Sequence, residues 1–382
     1  MLCYEFPPLG GGGSKVVHGL STELVRLGHE VDIVTMGFRG LPEYEQVNGA
    51  RVFRVSFLRN KKYVCTVPEA ASYVLSALMF VRRLASQHRY DINHTHFIFP
   101  DGFLAWSIKR SMQVPYVITA HGSDVPGYNP HRLKVAHKLM APLWATVIRN
   151  ASQITCPSES LRSLLMAASG GDKHTTVIPN GIDPGKFKHD KPKKKRILVV
   201  TRMLERKGVQ HVLMALEGLK LDQEVHIVGD GPYLPTLRQM AQATGNNVTF
   251  WGWLDAQSPE LKDLFETSGI FVFPSEAENF PIVLLEAMAA GMAIITTKET
   301  GCAEVVGDAA LLVKSRDAEA IREALIFLAN NPERCKELGK AARQRLEEHF
   351  SWTTVAERYI ALYEKAVKSR SVDTPEHQNH GH

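Results

Sequence analysis

The sequence predicts an α/β protein built from two doubly wound parallel sheets, and three observations carry that expectation. Short, almost wholly apolar stretches alternate with segments of helical period along the chain. The alternation breaks once, at PNGIDPGKFKHDKPKKKR (179–196), and a fresh series begins after it. The length, 382 residues, fits two domains of roughly 100–200 residues each.

EVDIVTM, PYVITA and SQITC read as buried strands of the first half. RILVV, EVHIVG, NVTFWG, IFVFPS and AIITT do so in the second. Runs that are apolar at every position suit parallel strands, which are covered on both faces. SKVVHGLSTELVRLGH places Val16, Leu20, Leu24 and Leu27 on one helical face, with Gly28 as its C′ residue. KGVQHVLMAL repeats the pattern at Val209, Val212, Leu213 and Leu216. SPELKDLF starts with Ser258 able to cap and Pro259 at the first helical position. Strands that alternate with helices pack as parallel sheets wrapped by helices, and such sheets bind ligands at the carboxyl ends of their strands. The expected site is therefore a cleft between two such domains. The start, MLCYEFPPLGGGG, leaves few residues for a first strand, so that strand is expected to be short or to begin upstream of Met1.

Composition excludes several classes. Hydrophobic residues make up 44% and charged residues 22%, as in ordinary globular proteins. The cysteines, Cys3, Cys65, Cys156, Cys302 and Cys335, are five in number and scattered, which argues against a disulfide framework or a cysteine zinc site and for a reducing cytoplasm. Pro7 and the early glycines argue against a signal peptide, and no apolar run reaches the ~18 residues of a membrane span. The net charge of +5 is uneven: residues 1–180 carry +7 and the remainder −2. A basic first half suits a solvated surface, an anionic membrane or an acidic acceptor. The polar tail SVDTPEHQNHGH is expected to be disordered.

Candidate chemistry clusters at strand ends. In ENFPIVLLEAMAAG, Glu278 falls in a strand-to-helix loop and Glu286 about one turn into the helix, whose first N–H groups suit an anion such as a diphosphate. Carboxylates beside it suit sugar and ribose hydroxyls. TRMLERKG puts Arg202 and Lys207 just beyond a strand, where two cations can hold a diphosphate as it departs. PPLGGGGSK brings backbone close to a ligand at Gly11 and Gly12. Lys15 stands where a dinucleotide fingerprint needs glycine, and the P-loop pattern is also unmet, so nicotinamide and ATPase readings lose support. VGDGP, with Gly229, suits a nucleoside wall or a tight turn. TAHGSD places His121 at a strand end near Asp124. NHTHF puts His94 and His96 on one strand face, where with His121 they would form either a zinc site or a group of buried histidines.

Together PPLGG, GHEV, TAHGSD, PNGID, TRMLERKG, VGDGP and PSEAENFPIVLLEAMAAG resemble, in order and spacing, the family 4 retaining glycosyltransferases, which have the GT-B fold of two Rossmann-like domains. The resemblance runs from PPLGG to about FSWTTVAERY. It implies an acceptor-side domain over 1–184, a nucleotide-sugar domain over 185–355, a C-terminal helix over 356–370 crossing back to the first domain, and a tail over 371–382. It implies that Glu278 holds donor sugar hydroxyls and Glu286 the ribose. Arg202 and Lys207 correspond to the diphosphate-binding pair, and His121 to the histidine near the reacting end of the sugar. Gly11 and Gly12 correspond to the first-loop glycines, and backbone at Phe280, Pro281 and Ile282 to the phosphate contacts. The family often has Gly where this chain has Asn279 and Pro281, and Pro281 offers no N–H. The implied reaction moves a hexose with retained configuration from a nucleoside diphosphate sugar, a UDP-sugar before GDP-mannose, to a lipid-linked, cell-envelope or exopolysaccharide acceptor. No cofactor, no metal and no nucleic-acid partner is expected; peripheral attachment to the inner face of the cell membrane is. A sugar-nucleotide epimerase and a non-catalytic sugar-nucleotide-binding subunit are the competing readings.

Overall fold

A computed structural model describes residues 1–55, 58–61, 65–128, 134–171 and 175–372. Of the tail read as disordered, 371–382, Ser371 and Val372 continue the last helix, and the residues from 373 on lie outside the described residues. The chain divides into two compact units, Met1–Pro179 together with the segment from Trp352, and Asn180–Ser351.

In chain order the first unit contains α1 (Gly12–Arg26), β1 (Asp32–Met36), β2 (Tyr44–Val47), β3 (Ala50–Val55), α2 (Val67–Gln87), β4 (Asn93–His96), α3 (Asp101–Met112), β5 (Tyr116–Thr119), α4 (Lys134–Asn150), β6 (Gln153–Cys156), α5 (Glu159–Ser169) and β7 (Thr175–Val177). The second contains β8 (Lys194–Val200), α6 (Val209–Leu216), β9 (Glu224–Val228), α7 (Leu234–Gln242), β10 (Val248–Gly252), α8 (Pro259–Thr267), β11 (Ser268–Phe273), α9 (Ile282–Ala289), β12 (Ala293–Thr297), α10 (Gly301–Val306), β13 (Leu311–Val313), α11 (Ala318–Asn330) and α12 (Pro332–His349). The last helix, α13 (Trp352–Val372), belongs to the first unit.

The sheet of the second unit runs β10-β9-β8-β11-β12-β13, all parallel. The chain starts at the centre with β8, winds outward one way, then crosses to β11 and winds outward the other way. The loops after β8 and β11 therefore diverge at a switch point, where doubly wound sheets bind ligands. Two apolar clusters, one on each face, explain the unbroken apolar strands. Leu198, Phe271, Leu284 and Leu285 belong to one, and Ile197, Val199, Val272 and Leu213 to the other. Ser258 caps α8, accepting from the Leu261 N–H at 3.2 Å.

In the first unit β4-β5-β6-β7 are parallel, and β1 pairs with β3. The opening residues join the two groups through bridges of Leu2 to Val34 and to Thr95. β2 and β3 form an antiparallel hairpin. Its turn is Asn48-Gly49, both at positive φ, the dipeptide that fits the twist of a two-residue hairpin. α13 buries Val355, Ala356, Tyr359 and Leu362 against Val17, Leu20 and Leu24 of α1. Gly19 permits this contact: a Cβ there would lie 2.1 Å from the Trp352 ring.

The sequence reading puts domain boundaries after 184 and 355, whereas the units divide after Pro179 and Ser351. Hydrogen bonds explain the shift. Asn180 Nδ2 donates to the Phe280 carbonyl at 3.2 Å, and the Ile182 N–H to the Phe350 carbonyl at 2.9 Å, so PNGID is already tied into the second unit.

Asp101, at the first position of α3, is wholly buried. It accepts from the Tyr73 hydroxyl at 2.7 Å and the Tyr4 N–H at 3.1 Å, and burial pushes its carboxyl up to about 8. The folded state thus holds a proton that the unfolded chain releases near pH ~4. Stability from this group is greatest at low pH and falls as pH rises toward 8. Asp101→Asn keeps the neutral shape and is expected to remove that decline. Thermal melts at about pH 5 and about pH 9 should show the variant gaining on wild type at the higher pH; a constant gap contradicts a protonated Asp101.

Candidate functional site

The loop after β8 reaches Lys207, and the loop after β11 reaches Glu278; the structure brings the two side chains into an ion pair at the switch point. Both are largely buried, at 10% and 14% side-chain exposure. The Ser275 hydroxyl donates to the same Glu278 oxygen at 2.9 Å. The loops are also stitched by backbone: the Glu276 N–H donates to the Arg206 carbonyl at 2.9 Å. Gly208 is required at this crossing, because it has φ +74° and a Cβ would lie 2.2 Å from the Pro274 carbonyl oxygen. Arg202 lies in the same β8 loop and is exposed. The acid–base pairing of Lys207 with Glu278 is not legible from the sequence, where the two carry separate roles.

Pro281 is the N-cap of α9. The Leu284 N–H returns to the Pro281 carbonyl at 3.1 Å, while the N–H groups of Ile282 and Val283 have no acceptor within the helix by position. The first turn carries no acidic residue, so it remains suited to an anion. Phe280 is buried against Phe350, ring centroids 5.5 Å apart and edge to face. Glu286, on the fifth residue of α9, is 7% exposed and accepts from Lys186 Nζ at 2.5 Å. Sequence reasoning missed Lys186, Ser275 and Asn180. PNGID and PSEAEN mark the neighbourhoods of all three, but the partners lie up to 100 residues away.

Gly229 has a packing reason for being glycine. With φ +134°, its Cβ would fall 1.8 Å from the Thr201 carbonyl oxygen. The Met203 N–H donates to the Asp230 carbonyl at 2.9 Å and the Tyr233 N–H to the Met203 carbonyl at 3.0 Å. VGDGP thereby fixes the loop that carries Arg202.

In the first unit the glycine loop, Phe97 and His121 meet at the carboxyl ends of the strands. A Cβ on Gly13 would lie 2.8 Å from Phe97 Cζ and 3.7 Å from His121 Cγ. Gly12 opens α1 and Gly11 is its N-cap; a Cβ on Gly11 would meet nothing within 4 Å. The Gly11 N–H donates to Glu5 Oε2 at 3.3 Å, so that amide is held by a carboxylate. Asp124 shapes the His121 turn by accepting from the N–H groups of His121 (3.0 Å), Gly122 (2.9 Å) and Ile98 (2.8 Å). Burial lowers His121 to about 4, so its ring is neutral at pH 7.

The zinc reading of His94, His96 and His121 fails on hydrogen bonding. His94 Nε2 bonds the Thr119 hydroxyl at 2.7 Å, and its Nδ1 the Tyr363 hydroxyl at 2.6 Å, leaving neither nitrogen for a metal. Among the described residues no group of three or more His, Cys, Asp or Glu could hold a metal ion.

Comparison with known proteins places this architecture. The family profile Glycosyltransferase Family 4 matches residues 10–186, and Glycosyl transferases group 1 matches residues 182–345. The chain belongs to the family 4 glycosyltransferases of the GT-B fold, and it is a glycosyltransferase of the group 1 type. It is 26% identical over 388 residues to the GDP-mannose-dependent alpha-(1-6)-phosphatidylinositol monomannoside mannosyltransferase of Mycolicibacterium smegmatis, covering 94% of this chain and 96% of that one. Sucrose-phosphate synthase from Thermosynechococcus elongatus has the same fold, with a TM-score of 0.78 at 22% identity over 94% of each chain. Anabaena HepE, solved in complex with UDP-glucose, gives 0.72 at 17% identity over 95% of this chain and 98% of its own.

Proposed function

We propose that the protein transfers a hexose, with retained anomeric configuration, from a nucleoside diphosphate sugar to a glycan or lipid-linked acceptor. The observation that carries this reading is the buried Lys207–Glu278 pair beside the N-terminus of α9. In this reading Lys207 and Arg202 neutralise the diphosphate as it leaves, aided by the amides at Ile282 and Val283. Glu278 and Glu286 exchange part of their ion pairing for hydroxyls, Glu278 taking the sugar and Glu286 the ribose. Neutral His121 offers a hydrogen bond near the reacting end of the sugar without competing for protons. The cations do the work a metal would otherwise do, so turnover should survive a chelator.

A UDP-sugar is the first donor to test and GDP-mannose the second; the mannosyltransferase relative and the UDP-glucose-bound neighbour point to different bases. Titration with UDP, GDP and ADP, followed by thermal shift without metal, separates them. One diphosphate should stabilise wild type but not Lys207→Ala. If none stabilises, the donor site is elsewhere and a binding role for another ligand takes its place. Incubation with donor alone tests the epimerase alternative, which requires an epimerised sugar nucleotide in the product.

A peripheral membrane location is part of the proposal. Among the described residues no helix is long and apolar enough to cross a membrane. α2 exposes Leu75 at 68% and Met79 at 72%, next to exposed Arg82 and Arg83, a pairing suited to anionic lipid. Arg59 does not add to this basic surface, being 2% exposed. Its guanidinium donates to the carbonyls of Lys61 and Tyr4. Lys62 lies outside the described residues. Flotation with acidic liposomes at low salt should carry wild type, and a negative result removes this part of the reading.

A further inference from the structure

His121 has a specific neighbour. Its Nε2 lies 3.1 Å from Nδ1 of His96, with the ring planes within 20° of each other and the centroids 5.3 Å apart. His96 is on β4 and wholly buried. Its other nitrogen, Nε2, is buried with no hydrogen-bond partner. The His96 ring also packs on that of His94, centroids 4.2 Å apart, and His94 is pinned at both nitrogens by Thr119 and Tyr363.

Burial holds His96 well below the usual histidine range and His121 at about 4, so each ring carries one proton. A neutral imidazole has one donor nitrogen and one acceptor nitrogen. Were His121 the donor, His96 would accept at Nδ1 and bury an Nε2–H with no acceptor. With His96 as donor, only a lone pair is left unpaired at Nε2. A buried N–H without an acceptor is the rarer and costlier case.

We propose that His96 is a positioning residue: it donates its Nδ1 proton to Nε2 of His121 and fixes His121 as the Nδ1–H tautomer. His121 then presents a donor on the side of its ring opposite His96. The opposite tautomer would present a lone pair there. A donor suits a sugar oxygen that gains charge as the leaving group departs, and this functional part rests on the role proposed above for His121. The tautomer itself does not rest on that role.

Nitrogen-15 NMR of ring-labelled histidine tests the two parts separately, with His121→Gln used to assign the His121 signals. In wild type, His121 Nδ1 should carry the proton and Nε2 should show the shift of a hydrogen-bonded lone pair. His96→Leu removes the donor and should abolish that pattern. His96→Asn places an amide N–H near the position of Nδ1 and should restore it. Transfer kinetics should follow: kcat roughly ten-fold lower in His96→Leu, the worth of one hydrogen bond, with donor KM little changed and kcat largely recovered in His96→Asn. A wild-type spectrum showing the proton on Nε2 of His121 overturns the proposal, and it needs no variant to fold. A tautomer lost in His96→Leu without a change in kcat upholds the positioning and overturns the role given to His121.

Discussion

Lys207→Ala is expected to lower the transfer rate by roughly 10²–10³-fold, the typical loss when a group aimed at developing charge is removed. It should also weaken the fold, because Glu278 would remain as a carboxylate at 14% exposure without its cation. Removing one partner of a fully buried pair costs about 3–5 kcal/mol. The loss here should fall toward the lower end, since the Ser275 hydroxyl still donates to Glu278. The two consequences can be separated. The double variant Lys207→Met, Glu278→Gln removes both charges, so urea unfolding should show much of the stability returning. Turnover should not return, because neither the cation for the diphosphate nor the carboxylate for the hydroxyls is present. Recovery of turnover in the double variant would mean that the pair is architectural and that the donor is held elsewhere.

Gly301→Ala is expected to cost roughly 10²-fold in nucleoside diphosphate affinity, although residue 301 carries none of the donor-binding roles assigned here. A Cβ there would sit 1.6 Å from the Asn279 carbonyl oxygen and 3.1 Å from that of Glu278. The obstacle is backbone, so one of the two segments must move. Gly301 is tied to this loop by its N–H, which donates to the Glu278 carbonyl at 3.1 Å. On the other side Phe280 is anchored by its ring on Phe350 and by its carbonyl to Asn180. The displacement therefore reaches Glu278 and the start of α9, and misplacement by about 1 Å commonly costs about 10²-fold. Overpacking should also cost about 1–3 kcal/mol of stability. Gly218→Ala is the control: Gly218 has φ +69° but nothing within 4 Å of an added Cβ. It should lose a little stability and no affinity. Calorimetric titration of both variants decides; equal affinities would mean the Asn279 loop does not shape the donor site.

The sequence made the second unit legible because its signals are local. Strands buried on both faces read as unbroken apolar runs, and Ser258 sits where a cap is needed. The switch-point loops carry charged residues in short, dense motifs. The first unit was less open. Its Asn48-Gly49 turn is a strong local hairpin signal, yet β2 is half exposed and Glu45, Arg51 and Arg54 interrupt the apolar pattern of the pair. Arg59 is not legible as a buried cation because one of the carbonyls that take its guanidinium belongs to Tyr4, 55 residues earlier in the chain. The histidines were ambiguous for the same reason. One of the two partners that occupy the His94 nitrogens is Tyr363, 269 residues further on. Glu286 and Lys186 are 100 residues apart. Local chemistry identifies which residues matter, whereas pairings across the chain decide protonation, tautomer and charge.

The placement of α13 in the first unit bears on how the protein is made. Synthesis runs from the N-terminus, and domains generally fold as they emerge. Residues 180–351 form one unbroken unit and can close as soon as they leave the ribosome. The earlier-made unit cannot, because Val355, Ala356, Tyr359, Leu362 and Ala366 complete its core and are synthesised after the second unit. Until then Val17, Leu20 and Leu24 lack their cover. Of the two units, the one begun earlier is thus completed later, and its apolar helix face must be shielded from other chains throughout the synthesis of the second unit.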